Sequence, residues 1–225
     1  MNRFELVNEI MRATLNVLAT VAPDWLRGHA QPEWVERYER RPEDQRLPSQ
    51  KAKRQAQADL IGTDGILLLK ALSTADAPAW LREVPMAQVL QRMWIQNFVP
   101  TETDGVRWRT TEDGLPPVAQ FISSPYATEA HYASKQRTTR WVGYKVPLTE
   151  TCEDTEAVPH LLTHGETTSG PVADGEVTPR IHAALQRRAL LPTIHLVDMG
   201  FLDADLLVAS QRDYGVDVLG PTRRD

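Results

Sequence analysis

A short apolar run that stops at a carboxylate constrains this chain more than any other stretch. Residues 193–201 read Thr-Ile-His-Leu-Val-Asp-Met-Gly-Phe, β-branched at Ile194 and Val197, with Asp198 at the end of the run and Gly200 two residues on. Bounded by turn formers, such a run is expected to form a buried strand. Residues 178–190 before it carry a helical pattern. Residues 203–211 after it read as a helix with Asp203 as N-cap, and residues 216–219 as a second strand. Helix, strand, helix, strand in that order builds a parallel sheet through crossovers. Open parallel sheets take ligands outside the carboxyl ends of their strands, where Asp198 falls. Two readings of Asp198 stand side by side here: a metal or catalytic ligand, and a capping aspartate at a turn.

With 225 residues and 41% hydrophobic content the chain has enough apolar surface for one large or two small domains. A net charge of -5 argues against a protein that coats nucleic acid or an anionic membrane over its whole surface, so any contact with phosphate needs a local patch. The one cysteine, Cys152, excludes an internal disulfide and fits a reducing, cytoplasmic setting. The apolar start is interrupted by Glu5, Glu9 and Arg12, which excludes a signal peptide or membrane span there. No membrane partner is expected.

The first part of the chain reads as helices. Phe4, Val7, Met11, Leu15 and Leu18 recur every three or four residues over positions 2–21, and Pro23 ends that pattern. Further helices are expected over 32–40, from a cap at Ser49 to Ile61, over 66–72 and over 85–98. The cluster Lys51, Lys53 and Arg54 has two readings, a phosphate contact and a solvated helix face, and the second is favoured because Glu43, Asp44 and Asp59 nearby balance it. Trp25, Trp34, Trp80 and Trp94 read as core of this unit. Turn formers cluster over 101–126, which places a boundary between a helical region, 1–115, and a strand-containing region, 126–225. In the latter, 139–149 and 160–168 alternate as an antiparallel pair.

Cys152, His160, His164 and Glu166 are metal-ligand types, yet a lone cysteine without a fourth ligand disfavours structural zinc. The phosphate-binding glycine loops and the nucleophile elbow are absent from the sequence. More informative is 131–145, an acid-free run that carries Lys135, Arg137, Arg140 and Lys145 among Tyr132, Trp141 and Tyr144. Cations interleaved with aromatics suit a phosphate backbone or unpaired bases; an ordinary strand with solvated cations is the other reading.

Four runs in order form a wider pattern: Arg-Trp-Val-Gly-Tyr-Lys-Val (140–146), Leu-Thr-Glu-Thr-Cys (148–152), His-Leu-Leu-Thr-His-Gly-Glu-Thr-Thr (160–168) and His-Leu-Val-Asp-Met-Gly-Phe (195–201). This pattern resembles the DDE transposases of bacterial insertion sequences, whose catalytic domain is RNase H-like. The N-terminal Leu-Val-Asn-Glu-Ile-Met-Arg-Ala-Thr-Leu-Asn-Val-Leu-Ala resembles the helical region that precedes that domain in one branch. The resemblance implies an α/β fold: a helical N-terminal region followed by a partial RNase H-like mixed sheet with flanking helices. It implies that Asp198 is the second catalytic aspartate and a ligand of Mg²⁺ or Mn²⁺, and that Lys135, Arg137, Arg140 and Lys145 contact DNA. Phe201 stands where that family usually has tyrosine, and Pro147 where it commonly has histidine.

The family's Asp-Ser-Thr motif occurs nowhere in the sequence, and neither Glu166 nor Glu176 matches the position of its final glutamate. The expectation is therefore an internal fragment of a transposase, inactive alone in metal-dependent DNA cleavage and strand transfer. Its partners would be DNA and either a second copy or a full-length transposase. The alternative is a non-enzymatic DNA- or protein-binding remnant.

Overall fold

Asn2 opens the first helix, α1 (Arg3–Val21), with a reciprocal cap: its side chain accepts from Glu5 N at 3.0 Å, and Glu5 Oε2 accepts from Asn2 N at 2.9 Å. Two of the donors that every helix start leaves unpaired are thereby satisfied. This computed structural model describes residues 2–40, 50–103, 105–135, 138–152 and 159–221. The chain forms two compact units, Met1–Glu129 and Ala130–Asp225.

The first unit continues with α2 (Pro23–His29) and α3 (Pro32–Tyr38), each with proline in its first turn, then α4 (Lys51–Ser73) and α5 (Pro85–Asn97). Pro23 thus ends one helix and starts another, since a first-turn proline lacks only an N–H that had no helical partner. The two helices expected over 49–61 and 66–72 are one, α4, with Gln50 at its N-cap, and the expected cap Ser49 lies outside the described residues. Gly62 and Gly65 look like a break in sequence but serve packing. A Cβ at Gly65 would lie 2.0 Å from the Trp94 ring, one at Gly62 2.5 Å from Phe98, and Trp94 Nε1 donates to Gly62 O at 2.8 Å. The hairpin β1 (Phe98–Pro100) and β2 (Val106–Trp108) pairs antiparallel and belongs to this unit, as does Ile122 in its core. That core gathers Val7, Ile10, Met11 and Leu18 of α1 with Leu90 and Met93 of α5 and Ile61 and Leu68 of α4. Trp34 and Trp94 are buried, Trp25 is half-buried, and Trp80 is 50% exposed, so Trp80 is a surface residue and not core. A buried carboxylate, Asp64, accepts from Tyr38 Oη at 2.7 Å and pairs with Arg37.

The second unit mixes strands and helices. β3 (His131–Lys135) pairs antiparallel with β4 (Thr139–Lys145), and β4 with β7 (Thr168–Ser169). A separate hairpin joins β5 (Leu148–Glu150) to β6 (Leu162–Gly165). The expected single pair, 139–149 with 160–168, is therefore divided: the chain changes sheets at Val146-Pro147, where proline offers no N–H to a continuing ladder. Helix α6 (Thr178–Arg187) then leads to β8 (Ile194–Leu196), and α7 (Ala204–Tyr214) to β9 (Asp217–Leu219), which pairs parallel with β8. Asp203 caps α7 by accepting from Leu206 N at 2.8 Å, and Gly215, with φ 66, ends it in the left-handed region. Val177, Ile181 and Leu185 form the buried cluster of this unit, with Val172, Leu191 and Phe201 packed on it. The fold is thus α/β in the broad sense, helices with small antiparallel sheets and one parallel pair.

Candidate functional site

The register of β8 on β9 sets Ile194 opposite Asp217 and Leu196 opposite Leu219, and Val197 N donates to Leu219 O at 2.9 Å. The next residue leaves the sheet. Asp198 therefore stands at the carboxyl end of a parallel strand, where its Oδ1 accepts from Gly200 N at 2.7 Å and caps the 3₁₀ turn Met199–Phe201. The capping reading is realised, and the side chain is nonetheless exposed on the wall of a cleft of about 160 Å³. Pro147, Thr149, Thr178, Ile181, His195 and Phe201 line the same cleft.

A second carboxylate stands close by. A side chain at Gly200 would begin 3.1 Å from Asp174 Oδ2 and 3.1 Å from Asp198 Oδ1, so glycine is what lets the two acids flank one backbone position. Asp174 is held by Lys145, whose Nζ donates to Asp174 Oδ1 at 2.6 Å and to Val172 O at 2.5 Å. Deeper in the unit, His182 Nε2 and His195 Nδ1 share a hydrogen bond of 3.0 Å, and the His182 ring also packs on Tyr214. Burial, and then the neighbouring His195, lowers the His182 pKa to about 4; burial lowers His195 as well. Both rings are therefore neutral at pH 7, one nitrogen of the pair donating to the other. Thr178 Oγ1 and His182 Nδ1, both on fully buried residues, have no hydrogen-bond partner.

Asp198 and Asp174 offer the hard oxygen atoms that Mg²⁺ prefers, but Mg²⁺ demands near-octahedral coordination. Among the described residues no group of three or more His, Cys, Asp or Glu side chains converges to hold a metal ion. The described residues do not make a cage for it. His164 Nε2 lies 3.1 Å from Glu166 Oε2, whereas Cys152 and His160 are exposed.

The cations of 131–145 are distributed rather than gathered. Lys135 lies opposite Thr139, and Ser134 opposite Arg140, across the β3–β4 ladder. Alternation then puts Lys135, Trp141 and Lys145 on one face and Arg140, Val142 and Tyr144 on the other. Lys135 and Arg140 are exposed near the hairpin tip. Arg137 lies outside the described residues. Lys145 is engaged by Asp174 instead of facing solvent. Asp174 and the His182–His195 pair were not singled out from sequence. The contacts that bring them to Asp198 span gaps of 13 to 29 residues, and no local pattern announces them. No family model, no curated protein and no solved structure matches this chain.

Proposed function

We propose that the second unit is part of the catalytic region of a DDE-type transposase, an RNase H-like arrangement in which Asp198 is one of the acidic positions. The observation that carries this reading is the placement of Asp198: an exposed carboxylate at the carboxyl end of a parallel strand, beside a second acid across Gly200. The order of elements, antiparallel strands followed by helix, strand, helix, strand, supports it. The chemistry of that class is cleavage and transfer of DNA strands with Mg²⁺ or Mn²⁺. Two-metal catalysis needs carboxylates from several elements around paired ions, and in this sequence only Asp198 matches an acidic motif of the class. The chain alone therefore binds DNA without cutting it. Asp198 keeps its backbone bond to Gly200 N, and Lys145 holds Asp174 in place.

Lys135 and Arg140 are the DNA contacts in this reading, with Arg137 between them in sequence. The test is fluorescence anisotropy of labelled duplex DNA over a salt series. Each phosphate contact contributes a log-log slope of about -0.9, so Lys135→Ala with Arg140→Ala should flatten the slope by roughly one to two units. Wild-type affinity that ignores salt, or a slope unchanged in the double variant, would sink the reading of this hairpin. Nicking of DNA by the wild type that Asp198→Ala lacks would show a complete site and contradict the inactivity.

A further inference from the structure

The helical unit gathers arginines where no carboxylate among the described residues pairs with them. Arg3, at the start of α1, and Arg109, just past β2, line a pocket of about 460 Å³ together with Asn2, Trp108 and, from the first turn of α4, Arg54 and Gln55. No Asp or Glu is among the described residues that line it. The Arg3 guanidinium stacks on Trp108 at 4.5 Å from the ring centroid, and its Nε donates to Asn97 Oδ1 at 3.0 Å. Arg109 is tied to backbone carbonyls alone, Gly114 O at 3.0 Å and Ile95 O at 3.3 Å among them, and its buried Nε has no partner. Arg54 is exposed and makes no side-chain bond to any described residue.

Three acids of this unit that flank the lining residues in sequence are engaged elsewhere. Glu5 closes the α1 cap, Asp59 Oδ1 accepts from Trp108 N at 2.7 Å, and Asp113 holds Arg107 at 2.6 Å. The α1 cap takes up two of the N–H groups at the start of the helix, Asn2 N and Glu5 N, and the arginine side chains supply the charge of the site. Burial, and then the charge of Arg109, lowers the Arg3 pKa, the sign expected where two cations sit close without an anion between them. A chain with net charge -5 that concentrates uncompensated arginine around an aromatic floor has built a receptor for an anion. Planar forks with several N–H donors match phosphate oxygens best.

We propose that this pocket binds a phosphate group, carried either by a free polyphosphate or by a nucleic-acid strand, with Arg54 and Arg3 as its charged donors and Arg109 as the fixed positive wall. This stands apart from the reading of Asp198 and of the β3–β4 hairpin. The test uses the full chain and two probes: inorganic pyrophosphate by calorimetry, and a labelled single-stranded oligonucleotide by anisotropy. Arg54→Glu alters an exposed residue without partners, so the fold is kept; Arg3→Met is the second variant, checked by near-ultraviolet circular dichroism. A charge-assisted contact implies a loss of about ten- to a hundredfold in affinity on Arg54→Glu. Loss for pyrophosphate assigns the site to free polyphosphate, loss for the oligonucleotide alone assigns it to a strand, and either supports the proposal. Lys135→Ala with Arg140→Ala should leave pyrophosphate binding unchanged. Absence of saturable binding for both probes, or equal affinities in wild type and Arg54→Glu, would overturn it.

Discussion

Among the described residues, the main buried cluster of the first unit holds nineteen apolar side chains, and that of the second holds three, Val177, Ile181 and Leu185. The difference is not one of apolar content. The second unit has Leu162 at 66%, Val208 at 65%, Leu196 at 59% and Ile194 at 53% exposure. Ile194 and Leu196 lie on the same face of β8, and Leu219 of β9, 49% exposed, continues it. Parallel strands are normally covered on both faces. Here His182 of α6 meets the face that carries His195, while Ile194, Leu207, Val208 and Leu219 line an open apolar groove of about 780 Å³ along β8, β9 and α7. The helical unit thus closes its own core, whereas the unit that carries the candidate site leaves half of a layer open. Stability in the first unit resides in side-chain packing. In the second it rests more on caps, ladders and a few polar contacts.

That contrast is broken most sharply at Gly65. Alanine is the better helix former by about 1 kcal/mol, so on propensity alone Gly65→Ala would stabilise α4. The added Cβ would sit 2.0 Å from a Trp94 ring that is 3% exposed. That ring is also fixed by its bond to Gly62 O. Overpacking of a closed core costs about 1–3 kcal/mol and sometimes more, which outweighs the propensity gain. Urea unfolding followed through the helical unit should show a lower midpoint; an unchanged or higher midpoint would mean that this core yields as readily as a surface.

The second unit should instead be sensitive to acid. His182 has its pKa lowered to about 4 in the folded state, against roughly 6.5 in an unfolded chain. The unfolded state then binds the proton more readily, so stability is full above pH 6.5 and falls as pH drops towards 4, by up to about 1.4 kcal/mol per pH unit. Below that window the loss from this group is complete and the slope vanishes. Stability measured across that range should slope for the wild type and flatten in His182→Gln. An equal slope in both would place the acid sensitivity elsewhere.

The smallest effect concerns the exit from α6. Ala189 has φ 56, a left-handed conformation unfavourable for any side chain, and it lets Leu190 N donate back to Leu185 O at 2.9 Å. Ala189→Gly should stabilise the second unit by about 1 kcal/mol. A destabilised variant would show that the alanine methyl contributes packing that exceeds the strain.

What could be read in sequence was local. The helix–strand–helix–strand order around Asp198, the Asp203 cap and the first-turn prolines follow from neighbouring residues, and the corresponding elements are present. Where side chains meet across the chain, sequence was silent or misleading. Gly62 and Gly65 look like a break because the rings of Trp94 and Phe98 that require them lie some thirty residues on. Lys145 looks like one more cation in a basic run because Asp174 is remote from it. Arg3 and Trp108, one hundred and five positions apart, stack without any motif to announce it. Capping and periodicity are encoded within a turn or two. Close approach is encoded by two distant positions together.

Hydrogen–deuterium exchange of the intact chain tests the contrast most directly, because each amide reports the unit it belongs to. Amides of α1 and α5, which lie over the closed core, should exchange only through global opening and show the highest protection. Those of β8 and β9, in a two-stranded sheet covered on one face, should exchange faster by orders of magnitude through local opening. Equal protection in the two sets would contradict the account, since the open layer would then be as stable as the closed core.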